Sequence, residues 1–138
     1  FVSEDQISEA LAKQLNILLT NLGVPLENLL IDPSTGALGY GLEYCFSIHE
    51  RIKLAALKQN DAMLQAPTVA NLGKEVWRAK EAKISQAEAP QWGDGSKRGI
   101  IWETLTATAV MMAGADILIM RHPEAVKLIK RTIAELGA

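Results

Sequence analysis

The sequence predicts an α/β fold: the C-terminal half of a TIM-like (β/α)8 barrel, with three parallel strands and flanking helices. Three short apolar runs alternate with segments of helical periodicity, which is typical of parallel strands joined by right-handed crossovers. A closed barrel needs eight strands in about 200 residues or more, and this chain has 138. We therefore expect one structural unit over residues 1–138, with a complete, small doubly wound sheet as the alternative.

The chain is expected to open on an amphipathic helix with no strand before it. Ser3 and Gln6 have capping-box spacing, and Gly23 followed by Pro25 marks the end of the helix. Apolar residues recur between them at helical intervals and should form one buried face: Ile7, Leu11, Leu15, Leu18 and Leu22.

The three predicted strands are residues 29–31, 67–70 and 118–120. Short, continuous apolar runs are typical of parallel strands that are buried on both faces. The strands are followed by Asp32, by Asn71 and by Arg121 with His122. Ligands bind at the carboxyl ends of the strands in both candidate architectures, so these exits are the candidate site.

The helix after the first strand should begin at Gly41 or Leu42 and end at Lys58. Its apolar stripe contains Cys45 and His49. Because no second His or Cys lies at metal-ligand spacing, His49 is expected to be a packed core imidazole.

Further helices are predicted towards the end of the chain. Residues 75–83 are compatible with a helix, residues 89–96 form a loop rich in Pro and Gly, and residues 98–113 form the next helix. The last helix should begin at Pro123 and end at Gly137. Its predicted buried residues are Val126, Ile129, Ile133 and Leu136.

Composition and charge narrow the function. Fourteen basic and sixteen acidic residues give a net charge of −2, which argues against nucleic acid or an anionic membrane as a partner. The single cysteine, Cys45, excludes an internal disulfide and a Cys-based metal site within the chain, and it fits a cytoplasmic protein. No signal peptide is recognisable, and the first residue is Phe1, so we expect the sequence to begin partway through a longer gene product.

Side chains at the strand exits could bind a ligand. Gly36 and Gly39 would allow close backbone approach, and Tyr40 could pack flat against a ligand, although a plain turn into the helix explains them equally well. Asp32 could hold a protonated heterocycle or cap the next turn. His122 could bind a ligand or cap the last helix.

Two other features lie in the long segment between the last two strands. Trp77 and Trp92 are either local anchors or a platform for a flat ligand. Lys97 and Arg98 are expected to form a solvated ion pair with Asp94.

Four segments, in this order, resemble one known family: DPSTGALGYGLEY, KEVWRAKEAK, WGDGSKRGIIWE and ADILIMRHPEAV. They are similar to the small subunit of the corrinoid iron–sulfur protein, the delta-type subunit of the carbon monoxide dehydrogenase/acetyl-CoA synthase system. The similarity extends over about residues 29–134. It implies a TIM-like barrel of roughly twice this length, of which this chain would be the C-terminal half.

The resemblance also implies a function. The small subunit would help to hold and shield a corrinoid (cobalamin) shared with a large subunit that alone carries the [4Fe–4S] cluster. The corrinoid would carry a methyl group from a methyltetrahydrofolate or methanopterin methyltransferase to acetyl-CoA synthase, in the reductive acetyl-CoA pathway. The small subunit is not expected to be an enzyme on its own, because the cofactor supplies the chemistry.

Transferred residue by residue, the resemblance implies a corrinoid-binding rim built from the three strand exits. Its predicted members are Thr35, Gly36, Gly39, Tyr40, Asn71, Glu75, Trp77, Arg121 and His122. The alternatives are a pterin-binding methyltransferase that uses Asp32 and Asn71, and a purely architectural subunit. A half barrel leaves open strand edges, so a homo-oligomer of the chain is also possible.

Overall fold

The computed structural model describes residues 2–4 and 8–137. Short strands alternate with helices, and 3-10 turns fill several of the connections. In chain order the helices and strands are β1 (Val2–Glu4), α1 (Glu9–Asn21), β2 (Leu30–Asp32), α2 (Leu42–Lys58), β3 (Val69–Ala70), α3 (Leu72–Val76), α4 (Gly95–Met112), β4 (Ile117–Leu118) and α5 (Pro123–Leu136).

In the part of the chain that the structure describes, all strand pairs are parallel. β1 pairs with β2, with Val2 opposite Leu30, and β3 pairs with β4. A parallel bridge between Ile31 and Thr68 joins the two pairs, and the Ile31 N–H donates to the Pro67 carbonyl at 2.9 Å. The strand order therefore follows the chain order, and the protein is a mixed α/β structure with a small parallel sheet.

The predictions for the start of the chain were wrong. Val2–Glu4 is a fourth strand rather than the first turn of a helix, so a strand does precede α1. The cap of α1 is Ser8, whose Oγ accepts the Leu11 N–H at 3.4 Å, while Gln6 and Ile7 lie outside the described residues. Capping signals are local, and here parallel pairing with β2 decides the conformation of Val2–Glu4.

The predicted apolar face of α1 was also wrong. Leu11, Leu18 and Leu22 are 48%, 53% and 82% exposed, and the helix instead buries Ala12 and Asn16. Asn16 is held in place because its side-chain amide donates to the Met63 carbonyl at 2.7 Å. Ala12 is small enough for α1 to pack closely against α2 and the turn at residues 62–64. This close packing determines which face of α1 is buried.

Elsewhere the local predictions were closer. α2 has the predicted bounds, and the three expected strands lie within two residues of their predicted positions. The helix predicted at 75–83 was wrong, because α3 ends at Val76, where the following residue, Trp77, packs against α4. α5 begins at Pro123 as predicted, but Ile133 and Leu136 are 50% and 63% exposed.

Within the described residues, two clusters of buried residues form the core, and α2 contributes to both. The first includes Ile31 and Ile52, and the second includes Ala70, Leu72 and Val110. Each fully buried Ile or Leu contributes about 1.5–3 kcal/mol from burial.

His49 is buried in the core, as the sequence predicts for a core imidazole. It is 1% exposed, and its Nδ1 lies 3.3 Å from the Thr68 hydroxyl. Burial lowers the pKa of His49 to about 4, so the ring is neutral at neutral pH.

Asp116 ties α2 to the sheet, and its replacement should make stability less dependent on pH. Its Oδ2 accepts hydrogen bonds from Lys53 Nζ at 2.6 Å and from the Thr68 N–H at 2.7 Å. Burial opposes ionisation, but these bonds outweigh it and hold the pKa of Asp116 below its usual 3.8. The stabilisation is therefore present above about pH 4 and is lost as the pH falls through the lowered pKa.

We expect Asp116→Asn to lower the free energy of unfolding by about 1–2 kcal/mol at pH 7. Urea unfolding of the complete gene product at pH 7 and pH 3 measures the effect. Because the wild type itself loses this stabilisation at low pH, the two proteins should differ less at pH 3. An equal difference at both pH values would contradict the assignment.

Candidate functional site

The three strand exits lie at one edge of the sheet. After β2, the Ser34 N–H donates to Asp32 Oδ1 at 3.0 Å, and a 3-10 turn over Thr35–Gly39 packs against α3. The Gly73 N–H, in α3, donates to the Ile119 carbonyl beyond β4 at 2.9 Å. The second exit therefore contacts both the first and the third, as the parallel topology requires.

The first exit presents an aromatic ring to solvent. Tyr40 is 87% exposed, and a Cβ added to Gly39 would meet no atom within 4 Å. Ser34 adopts φ +58° and ψ +106°, a conformation that non-glycine residues rarely adopt and that occurs often at functional sites. Thr35, by contrast, is only 6% exposed.

Behind this loop lies Cys45. Its thiol donates to the Thr35 carbonyl at 3.7 Å, and burial raises the pKa of Cys45 to about 11. The thiol is therefore protonated at neutral pH and serves as a small packing group rather than a nucleophile.

The second exit carries two polar residues of the predicted site. Asn71 is exposed, and its side-chain amide makes no hydrogen bond within the described residues. Glu75 forms an ion pair with Arg78 at 3.3 Å. Only Asn71 of these two thus has its hydrogen-bonding groups open to a ligand.

Trp77, Glu103, Arg121 and His122 form a compact group that we call the rim cluster. The indole N–H of Trp77 donates to Glu103 Oε2 at 2.6 Å, and the His122 N–H donates to the same oxygen at 3.1 Å. The Arg121 N–H donates to Glu103 Oε1. Trp77 and His122 stack with ring centroids 5.7 Å apart and an interplanar angle of 19°, and Arg121 Cζ lies 5.9 Å from the Trp77 ring centroid.

Glu103 was not among the site residues predicted from the sequence. This residue is fully buried in α4, on the same face as Gly99, Ala107 and Val110. The available signal was a single acid at i, i+4 spacing from small residues on the buried face of a helix. A carboxylate on such a face is buried and therefore needs several hydrogen-bond donors. Nothing local indicated that the donors would come from two distant strand exits.

Two adjoining clefts beside the first exit form what we call the loop groove. Their volumes are about 490 and 290 Å³, and both are lined by Leu38, Gly39, Ala79 and Trp102. Of the predicted site residues, the groove contains Gly36, Gly39, Tyr40 and Glu75. Trp77, Arg121 and His122 lie together in the rim cluster, whereas Thr35 and Asn71 line neither feature.

The prediction of a solvated ion pair was wrong for Arg98. Lys97 does pair with Asp94, at 3.9 Å on the surface, but Arg98 is only 7% exposed. Its guanidinium donates to main-chain carbonyls of the loop before α4, those of Ile84, Ser85, Ala89, Trp92 and Gly93. Arg98 thus closes this loop against α4.

Within residues 2–4 and 8–137, no helix is long and apolar enough to cross a bilayer. Nor do the described His, Cys, Asp and Glu residues come together in any group of three or more that could hold a metal ion.

The fold and the site define a class of protein, one built from consecutive parallel βα units whose strand exits form an open aromatic and polar rim. A family model described as the CO dehydrogenase/acetyl-CoA synthase delta subunit matches residues 3–133. The chain belongs to this family. The resemblance of the four sequence segments is therefore confirmed.

Several archaeal proteins are similar to the chain, each named as a delta subunit of the acetyl-CoA decarbonylase/synthase complex. The Archaeoglobus fulgidus protein is 38% identical over 129 residues, which cover 91% of this chain and 28% of that protein. The Methanopyrus kandleri protein is 43% identical over 119 residues, 86% of this chain and 28% of that protein. A Methanosarcina acetivorans relative, delta 2, is 34% identical over 94% of this chain and 30% of its own length.

The chain spans less than a third of these curated relatives. The relatives are therefore longer than twice the length of this chain, which is the length that the resemblance implied.

Proposed function

We propose that this chain supplies strand-exit loops with which a delta subunit covers a corrinoid during methyl transfer in an acetyl-CoA decarbonylase/synthase complex. The observation that carries the proposal is the presence, at one sheet edge, of exposed Tyr40 together with the Asn71 and Arg121 side chains, whose N–H groups have no hydrogen-bond partner among the described residues. The relatives of this chain are named as subunits of that complex.

The residues at the strand exits fit such a ligand. A corrinoid is a broad macrocycle that carries amide side chains, so its binding surface needs flat apolar contacts and hydrogen-bonding groups at the rim. Tyr40 supplies the first, and the open space beside Gly39 allows the main chain to approach. Within the described residues, the Asn71 amide and the Arg121 guanidinium have no hydrogen-bond partner and could bind corrinoid amides.

When bound, the corrinoid supplies the cobalt centre that accepts and releases the methyl group. This chain's residues would orient the macrocycle and exclude water from one of its faces. The proposed partners are a large corrinoid subunit that carries the [4Fe–4S] cluster, the methyltetrahydrofolate or methanopterin methyltransferase, and acetyl-CoA synthase. We expect the complex to be cytoplasmic.

We also propose that the four strands belong to a TIM-like barrel. The sequential parallel order β1-β2-β3-β4 supports this proposal, because a doubly wound sheet reverses its strand order at a switch point. Ligand binding at the carboxyl ends of the strands is then the expected arrangement.

Replacement of Tyr40 tests the proposed cover. In the complete gene product assembled with its complex, Tyr40→Ala should speed the oxidation of the reduced corrinoid about 2- to 10-fold. This ratio corresponds to the loss of about 0.5–1.5 kcal/mol of aromatic contact. The rate is followed by the absorption spectrum of the corrinoid after exposure to a fixed oxygen concentration.

Tyr44→Ala is the matched control, since Tyr44 is 47% exposed and lies outside the loop groove. Its rate should equal that of the wild type. Unchanged rates for both Tyr40→Ala and Asn71→Ala would rule out the covering role and leave an architectural subunit. Calorimetric binding of methyltetrahydrofolate to the complete subunit alone would instead favour a pterin-binding methyltransferase.

A further inference from the structure

We propose that Glu103 is the positioning residue of the rim cluster, and that it fixes His122 so that the His122 Nε2–H donates to an oxygen acceptor on the ligand. The inference rests on the proposed function and deepens it. For a corrinoid, the acceptor is a side-chain amide carbonyl.

Glu103 joins three N–H groups from two strand exits. Its carboxylate is fully buried on α4 and accepts three N–H donors, from the Trp77 indole and from the Arg121 and His122 main chain. A buried carboxylate is costly unless its oxygens are satisfied, and bonds to a charged acceptor in a low-dielectric site are strong. Glu103 thus connects the second strand exit to the third through a side chain that does not itself reach solvent.

Trp77 is held in one position by two contacts with α4. Its ring packs on Gly99, one helical turn before Glu103, where an added Cβ would overlap the ring. The contact with Gly99 and the indole hydrogen bond to Glu103 together fix the orientation of the ring. In that orientation Trp77 is stacked on His122.

The hydrogen bond from Glu124 determines where the His122 ring carries its proton. Its Nδ1 accepts the Glu124 N–H at 3.2 Å and caps α5, so the proton of the neutral ring lies on Nε2. His122 is half-buried. The group that the ring can offer to a ligand is therefore a donor, held by the stack on one side and by the cap on the other.

Glu103→Gln is the primary test, because glutamine keeps the shape but directs an NH₂ group at an N–H donor. In the complete gene product assembled with its complex, hydrogen–deuterium exchange should become about tenfold faster at the Arg121 and His122 amides. The dissociation constant for hydroxocobalamin, used as the probe, should rise by a similar factor. Glu50→Gln is the matched control, since Glu50 is exposed on α2 and has no partner within the described residues. It should change neither quantity.

His122→Asn separates capping from ligand binding. The Asn Oδ1 can still accept the Glu124 N–H, so exchange in α5 should stay as in the wild type. Asparagine lacks the distal N–H, so hydroxocobalamin binding should weaken. Wild-type affinity in this variant would overturn the assigned donor.

The remaining outcomes are distinct. Unchanged exchange at residues 121 and 122 in Glu103→Gln would overturn the positioning role, whatever the corrinoid affinity. Faster exchange with unchanged affinity would overturn the link to the ligand, while Tyr40→Ala and Asn71→Ala still report on the proposed function. If Glu103→Gln raised exchange throughout α2 as well, the protein would have unfolded. In that case Trp77→Phe is the deciding variant, because it removes one donor to Glu103 and leaves Glu103 in place. Wild-type affinity for hydroxocobalamin in Trp77→Phe would overturn the proposal.

Discussion

Replacing Arg98 with lysine should open the loop between Ile84 and Gly93 and lower the free energy of unfolding by about 2–4 kcal/mol. The Arg98 guanidinium satisfies five main-chain carbonyls from inside the protein, whereas a lysine ammonium has three donors and no planar fork. At least two of the five carbonyls would lose their partner. The Ala89 carbonyl is buried and the other four are partly buried, and leaving such a group unsatisfied costs about 1–3 kcal/mol.

Limited proteolysis and urea unfolding of the complete gene product measure this effect. Cleavage should move to residues 84–93, and the unfolding midpoint should fall. The matched control is Arg51→Lys, because Arg51 is a surface residue whose ion pair with Glu9, at 2.8 Å, can be retained by lysine. Equal sensitivity of the two variants to protease would show that Arg98 does not hold the loop.

The Arg98 variant also bears on the loop groove. Trp92, Ile101 and Trp102 line a smaller cleft of about 180 Å³ next to the groove, and Arg98 forms part of its wall. Opening the loop would move Trp92, whose ring centroid lies 6.0 Å from Arg98 Cζ. A loss of corrinoid affinity in Arg98→Lys would thus place this cleft within the ligand-binding surface.

Replacing Gly73 with alanine should separate the second strand exit from the third and cost about 2–4 kcal/mol. A Cβ at this position would lie 2.8 Å from the Arg121 main-chain nitrogen and 3.0 Å from the Met120 carbonyl carbon. These are main-chain atoms just beyond β4, so they cannot move aside as a flexible side chain would, and overpacking of this kind is strongly destabilising. The hydrogen bond from Gly73 to the Ile119 carbonyl would be strained or lost.

Hydrogen–deuterium exchange at residues 119–122, together with urea unfolding, measures the Gly73→Ala effect. Gly39→Ala is the control for stability, because a Cβ there meets no atom within 4 Å. Its free energy of unfolding should lie within about 0.5 kcal/mol of the wild type. If Gly73→Ala were as stable as Gly39→Ala, the two exits would not be in the close contact that the site requires.

Apolar side chains among the described residues remain exposed outside the core. Leu11, Leu18 and Leu22 are exposed on α1, and Ile117 and Ile119 are 40% and 48% exposed at the β4 edge. The homo-oligomer that the sequence analysis allowed is one way to cover them and stays a prediction. Light scattering of the complete gene product tests it.

The sequence by itself determined the features that depend on near neighbours. A glycine followed by an apolar periodic run predicted the bounds of α2, and Pro123 predicted the start of α5. The alternation of β and α segments predicted a parallel sheet. The four family segments led to the correct family. The sequence also predicted that the strand exits share one sheet edge, because parallel strands end on the same side. That the nine candidate residues bind a ligand there stays a prediction.

Only the tertiary structure decided what depends on distant partners. Val2–Glu4 became a strand because β2 was available to pair with it, and α1 turned Ala12 and Asn16 inward because small or hydrogen-bonded residues permit close packing. Arg98 and Glu103 gained their roles from carbonyls and N–H groups that lie elsewhere in the sequence. Local propensities are fractions of a kcal/mol per residue, whereas burying a charge without partners costs several, so long-range pairing decided these positions.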